Sequence, residues 1–312
     1  MIEPSRRPLD LPQDLRTIVV LSDVHGNLPA LDAVIADLDA VSPEIVIVNG
    51  DMVNRGPQGA EVLDRIDELD WTMVLGNHDD LLRMWVDRDA SLPPSWFTDP
   101  FWRSTAWCAE RLERSGWLPR IAALPLTIAI EPPGASRLLV SHGSPRHYRE
   151  GYGEHLADEA ISEIVEMHPY DVLVGSHTHR PMERRWGRHL VLNSGAVGTP
   201  FNGDPRAQYL VLRRDGRDWT PEFRRVAYDR AAALSVFEDS GYLSDGGLSA
   251  RLYWLEVATA RSWLVPFLMW SEKNGIARGE ASWRRFLTER GTRLEAPDDV
   301  GADIVARSGL AG

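Results

Sequence analysis

Apolar and polar positions alternate in blocks through the first two-thirds of the chain. Residues 17–21 (TIVVL), 45–48 (IVIV), 72–75, 137–140 (RLLV), 172–174 and 190–192 are apolar runs of strand length, the pattern of strands buried on both faces. Between the early runs the spacing becomes helical. Leu28, Leu31, Val34, Ile35 and Leu38 fall on one face, and residues 59–69 repeat that spacing. Strands alternating with helices predict an α/β fold with a largely parallel sheet at its start. Residues 209–213 and 222–228, separated by Asp215-Gly216, read as an antiparallel hairpin. From 229 onward the pattern is helical, over 230–237, 248–270 with a break at Pro266, and 281–289. Residues from 296 are small and turn-rich, and read as a flexible tail. The stretch 81–117 carries five of the twelve tryptophans around a turn at Pro93-Pro94 and reads as a helical insertion whose rings pack as core or cap.

A length of 312 residues fits one large domain, or one domain with an appendage. With 34 basic against 46 acidic residues the formal charge is −12. That argues against a binder of long nucleic acid or of anionic membranes, which recruit basic surfaces. It leaves room for a small anion held by a few local cations. The single cysteine, Cys108, excludes a disulfide framework and a cysteine-rich zinc site, and reads as a small buried hydrophobe. The first residues carry no apolar segment after their arginines, and 263–270 (WLVPFLMW) is too short to span a bilayer and contains Pro266. The expected location is the cytoplasm, and WLVPFLMW reads as a buried helix seam or an oligomer contact.

The residues just past each strand change the picture. The six runs stop at SDVHGN (22–27), GDMVNRGP (50–57), GNHD (76–79), SHGS (141–144), GSHTH (175–179) and NSGAVG (193–198). Ligands of open α/β sheets bind at the carboxyl ends of the strands, so these polar, glycine-flanked stops are expected to converge on one cleft. Asp, His and Asn without thiolate suit hard or borderline dications. Seven candidates, Asp23, His25, Asp51, Asn77, His142, His177 and His179, are too many for one tetrahedral ion. They suit two ions sharing a carboxylate, about 3.5–4 Å apart, able to clamp a phosphate ester.

At these residues the sequence resembles the calcineurin-like metallophosphoesterase superfamily, whose pattern is D-x-H, G-D, G-N-H-[DE], an isolated H, then G-H-x-H. The first three blocks are each separated by 24 residues (26–49 and 52–75), close to the family spacing, and the likeness covers about 17–228. One departure is Ser176, where the family has glycine. The resemblance implies a four-layer α/β/β/α sandwich with additional C-terminal helices. The catalytic domain is expected over 1–228, including the 81–117 insertion, followed by the helical extension over 229–295 as a lid or oligomer contact and the tail at 296–312. The resemblance also implies two divalent ions, manganese first, with iron, zinc, nickel and magnesium as alternatives. One would be held by Asp23, His25, Asp51 and His179, the other by Asp51, Asn77, His142 and His177, with Asp51 bridging. His78 would face the leaving-group oxygen as general acid or transition-state stabiliser. The reaction would be in-line attack of a metal-bridging hydroxide on a small phosphodiester, without a covalent enzyme intermediate. Arg55, Asn27 and His147 are expected to contact substrate.

The Asn54-Arg55-Gly56-Pro57 block is similar to protein phosphatases and dinucleoside tetraphosphate hydrolases. In the phosphatases, however, an aspartate stands at the position of Asn54, and they lack the paired histidines of 177 and 179. Those histidines and the NSGAVG stretch after them resemble the small bacterial phosphodiesterases, which is the preferred branch. Dinucleoside-polyphosphate hydrolysis and phosphomonoester or phosphoprotein hydrolysis are the alternatives. A non-catalytic scaffold is the third, disfavoured because all seven ligands and His78 are present.

Overall fold

A computed structural model describes residues 11–290 apart from 13, so the tail expected over 296–312 lies outside the described residues. In chain order, β1 (Thr17–Leu21), α1 (Leu28–Val41), β2 (Ile45–Asn49), α2 (Gly59–Glu68), β3 (Thr72–Val74) and α3 (Asn77–Val86) form the opening β/α repeat. Helices α4 (Arg103–Ser115) and α5 (Leu118–Ala122) follow, then β4 (Thr127–Ile130), β5 (Leu138–Ser141), α6 (Asp158–Met167), β6 (Val172–Gly175), β7 (Met182–Trp186) and β8 (His189–Asn193). The hairpin β9 (Ala207–Asp215) and β10 (Asp218–Val226) leads to α7 (Arg230–Asp239), α8 (Tyr242–Thr259), α9 (Leu264–Asn274) and α10 (Glu280–Arg290).

Two five-stranded sheets result, ordered β10-β9-β1-β2-β3 and β4-β5-β6-β8-β7. Within the first, β1, β2 and β3 are parallel while β9 joins β1 antiparallel. The parallel sheet expected at the start is therefore mixed once the hairpin docks on it. Alternation along each strand builds the layers. Ile18 and Val20 of β1 face Val140 of β5, Val174 of β6 and Leu192 of β8 in the core between the sheets. Val19 and Leu21 face the opposite way, into a core shared with α1, α2, α4 and α8. Leu139, Leu173 and Val191 turn outward from the second sheet onto Ile161 and Ile164 of α6. The result is the four-layer α/β/β/α sandwich.

The helices after β10 pack on the same core as α1 to α4. Trp85, Trp102 and Trp117 are buried in it, and Trp107 meets Tyr242 of α8 edge-on at 4.9 Å. Two local expectations need correction. The break in the 248–270 helix falls at 260–263, not at Pro266. Pro266 is the third residue of α9, where its backbone nitrogen would have had no intrahelical partner. The helix before that break also begins earlier, at Tyr242, with a kink at Gly247. Strands β4 and β7 were not expected. The sequence of β7, MERRW, has no apolar run because it is an edge strand with alternating exposure.

Candidate metal centre

All the predicted ligands sit on loops or helix starts at the carboxyl ends of parallel strands. Asp23 and His25 follow β1, Asp51 follows β2, and Asn77 opens α3 after β3. From the second sheet, His142 follows β5, while His177 and His179 follow β6. The two sheets lean together there, and their ligand atoms form two overlapping groups. Asp23, His25, Asp51 and His179 offer atoms all within 4.8 Å of one another, and so do Asp51, His142 and His177. Asn77 joins the second group, its Oδ1 lying 3.2 Å from His142 Nε2. Of these residues only His177 is partly exposed.

Ring orientation is set from behind. Backbone carbonyls can only accept, so His25 donates from Nδ1 to Val53 O (3.3 Å), His142 to Asn49 O (2.8 Å) and His179 to Thr199 O (2.6 Å). Each ring therefore turns Nε2 into the cleft, the arrangement typical of metal-ligating histidine. His25 Nε2 and His179 Nε2 then confront each other at 3.4 Å. Burial, reinforced by Arg55, lowers the His25 pKa well below its usual range, so its inward nitrogen carries a lone pair. That lone pair faces His179 Nε2 across 3.4 Å, a pose that a cation between the two nitrogens would suit. The carboxylates tell the same story. Asp23 Oδ1 and Asp51 Oδ2 are buried and accept no hydrogen bond, although His179 Nε2 lies 3.2 Å from the first and His142 Nε2 3.2 Å from the second. Against the burial that would lower it, the Asp51 charge pushes His142 up to about 10, so a metal taking Nε2 must displace that proton. Buried lone pairs without donors are costly, and divalent cations satisfy all of them. The donor set fits the metal.

The loops are strained and clamped. Asp23, His25, Asp51, Asn54, Arg55, His177 and His179 all have φ between 49° and 65°, seven of the eleven positive-φ non-glycine residues among those described. Asp79 pins the second loop, its carboxylate accepting from the backbone N–H groups of Asp51, Met52, Val53 and Gly76. Gly50 must be glycine here, since its φ is 80° and a Cβ would stand 2.6 Å from Gly76 Cα and 2.8 Å from His142 Nδ1.

A model of the calcineurin-like phosphoesterase family matches residues 16–181, more than half of the chain. The chain belongs to the calcineurin-like phosphoesterase family. The chain is thus a metal-dependent phosphoester hydrolase, and the buried Asp/His cluster is its divalent metal centre. The chain is 27% identical over 227 residues to the uncharacterized protein MJ0912 of Methanocaldococcus jannaschii, covering 68% of this chain and 88% of that one. It is 25% identical over 208 residues to phosphodiesterase YfcE of Escherichia coli strain K12, covering 64% and 88%. The crystal structure of a metallophosphoesterase from Sphaerobacter thermophilus superposes with a TM-score of 0.62 at 25% identity, over 79% of this chain and all of that one.

Within this phosphoesterase the other singled-out residues divide. His78, beside Asn77, accepts from Arg55 Nε at Nε2 (3.2 Å), with Asn54 Nδ2 2.9 Å from its Nδ1, and its backbone N–H donates to Asp51 Oδ1 (2.7 Å). Asn27 is buried and caps α1, accepting from Ala30 N and donating to Gly198 O and Tyr228 Oη. His147 is an exposed loop residue whose Nδ1 accepts from Arg149 N. Neither Asn27 nor His147 is among the ligand atoms that converge. Asp79 was not expected, although its place in GNHD, three residues into a helix after Gly76, is a capping signal. Also unforeseen was the seam beneath the ligand cluster. The hydroxyls of Ser22, Ser194 and Ser176 form a chain (2.9 and 2.8 Å) that Asn49 Nδ2 completes by donating to Ser176 Oγ at 2.8 Å. The serine at the family's glycine position thus ties the two sheets together. The last unforeseen residue is Glu256 of α8, which reaches Arg55.

Proposed function

We propose that the chain hydrolyses a small phosphodiester with two divalent cations, manganese first. One is held by Asp23, His25, Asp51 and His179, the other by Asp51, Asn77, His142 and His177. The observation that carries this reading is the pair of overlapping donor sets that share Asp51. Two such cations, when bound, supply Lewis acidity to the phosphoryl oxygens and to the attacking water, and clamp an in-line displacement.

The chain's own residues do the rest. Asn54 Oδ1 accepts from Arg55 N at 2.9 Å, which fixes its amide beside the His78 ring. Burial and then Arg55 hold the His78 pKa well below the usual range, so the imidazole is neutral. Its Nε2 accepts from Arg55 Nε at 3.2 Å. An oxyanion of the phosphoryl group or leaving group entering there can take over the Arg55 Nε–H. His78 acts as the neutral partner that holds Arg55 at the transition state rather than as a charged acid, in keeping with an amide at position 54. Two dications against the carboxylates of Asp23 and Asp51 leave the cleft positive by about 2 before Arg55 is counted, so a small anion is drawn in despite the acidic chain.

The name of YfcE supports the diester reading. A second reading, hydrolysis of a dinucleoside polyphosphate, is favoured by a cleft of about 830 Å³ beside Phe201 and Trp263, rimmed by Arg180, Arg261 and Arg290. Phe201 stacks on His179 at 4.2 Å, so that cleft adjoins the metal centre. The test is manganese-dependent turnover of bis-p-nitrophenyl phosphate, p-nitrophenyl phosphate and a diadenosine polyphosphate. The diester is expected to be fastest. A faster monoester sinks the diesterase reading, a faster dinucleotide establishes the second, and no turnover with metal bound leaves the scaffold.

A further inference from the structure

Glu256 lies far outside the family-matched segment, in the last turn of α8, and is fully buried, as are its chain neighbours Trp254, Leu255 and Val257. An isolated carboxylate there needs partners. Its Oε1 accepts from the backbone N–H groups of Trp263 (2.8 Å) and Leu264 (2.9 Å) at the start of α9. Its Oε2 accepts from Arg55 Nη1 at 3.3 Å. The guanidinium is itself buried, with the rings of Phe201 and Tyr253 at 5.8 and 5.5 Å. The guanidinium is a rigid plane, so fixing Nη1 fixes the rest. With Nη1 engaged by Glu256, the side-on edge formed by Nε and Nη2 is the one turned toward His78, where Nε already lies 3.2 Å from Nε2.

We infer that Glu256 is a positioning residue for substrate: through Arg55 it aims a two-donor edge at the phosphoryl oxygens, so the C-terminal helices complete the phosphate site. This rests on the proposed role of Arg55 at that site. Glu256 is placed to act on phosphate affinity rather than on the metals, whose ligands it does not touch.

Glu256→Gln separates this role from a structural one. The glutamine oxygen can still accept from Trp263 and Leu264, but its amide group sets donors against Arg55 Nη1. In the manganese-loaded full chain, Glu256→Gln is expected to weaken inorganic phosphate binding, measured by calorimetry, and raise KM for bis-p-nitrophenyl phosphate, each by about tenfold or more. The change in kcat should be smaller. Bound manganese should be unchanged. In an Arg55→Ala background the same substitution should change neither quantity. Arg55→Lys, which keeps the charge but lacks the fork, should lose phosphate affinity even if Glu256→Gln fails to fold. A folded Glu256→Gln with wild-type KM and phosphate affinity, an effect that persists without Arg55, or an Arg55→Lys that binds phosphate normally would each overturn the inference. Phosphate binding and turnover in the wild type with no response to Arg55→Ala would instead defeat the proposed role of Arg55. A wild type that neither binds nor hydrolyses defeats the proposed function itself.

Discussion

The strand-end loops and the C-terminal helices solve opposite problems. The loops hold seven non-glycine residues in left-handed backbone, a cost of about 1–3 kcal/mol each, and bury carboxylate oxygens that accept no hydrogen bond. Helices α8 to α10 bury aromatic rings instead. Phe267 is fully enclosed, with Phe101, Trp283 and Phe286 at centroid distances of 5.9, 5.4 and 5.5 Å. One region is built for a ligand at the expense of its own stability, and the other, Glu256 apart, stabilises without chemistry. They meet at one ion pair, Arg55 with Glu256. The difference teaches where a substitution should be felt: in the loops through metal and rate, in the helices through folding.

The sharpest break of that contrast is Asp51→Asn. The residue shared by both donor sets loses its charge, so elemental analysis should find both metals lost and turnover abolished. Retention of two metals would remove the bridge from the assignment. Next in size is Phe267→Ala, expected to cost about 3–5 kcal/mol in denaturant unfolding. Its metal content at saturating manganese should be unchanged; if metal is lost in the folded variant, the two regions are not separable. His78→Ala should follow, with kcat down on the order of 10²–10³-fold, as for a misplaced oxyanion donor, and metal retained. An emptied site in that variant would make His78 a support for the ligands rather than the partner that holds Arg55.

How much of the molecule is legible in the chain divides along the same line. Strands β1, β2, β5, β6 and β8 announce themselves because each is a β-branched or leucine run buried on both faces, and each ends abruptly in glycine-flanked polar residues. A packed core has no use for Asp and His at such stops, so the ligands are visible one block at a time. What pattern cannot carry is contact across distance. Ser176 looks like a small stand-in for glycine, and only the neighbouring sheet shows its hydroxyl between Asn49 and Ser194. Glu256 reads as one polar position in YWLEVA, and its partner is 201 residues away. Asn27 shows the reverse problem. Its place in SDVHGN is read for a substrate contact, and the structure shows that the same side chain also caps a helix. Pro266 misleads for a physical reason as well, since the same ring that breaks a helix interior is harmless in a first turn.

The smallest effect tests the contrast most finely. If the loops are strained around buried lone pairs that a metal takes up, removing metal should lower stability, and removing the Asp51 charge should not restore it. Manganese at about 100 times its Kd stabilises a folded state that binds it by about 2.7 kcal/mol, so chelation of the wild type should lower Tm measurably. Phe267→Ala should start lower and lose about the same increment, because its cavity is remote from the ligands. Asp51→Asn should show no metal increment at all. Without metal it should melt below chelated wild type, because the Asp51 charge that raises His142 also holds that buried pair together, its oxygen 3.2 Å from His142 Nε2. A chelated Asp51→Asn that melts no lower than chelated wild type would mean that the buried carboxylate is a net cost without metal, and that the pair with His142 does not hold the loops together.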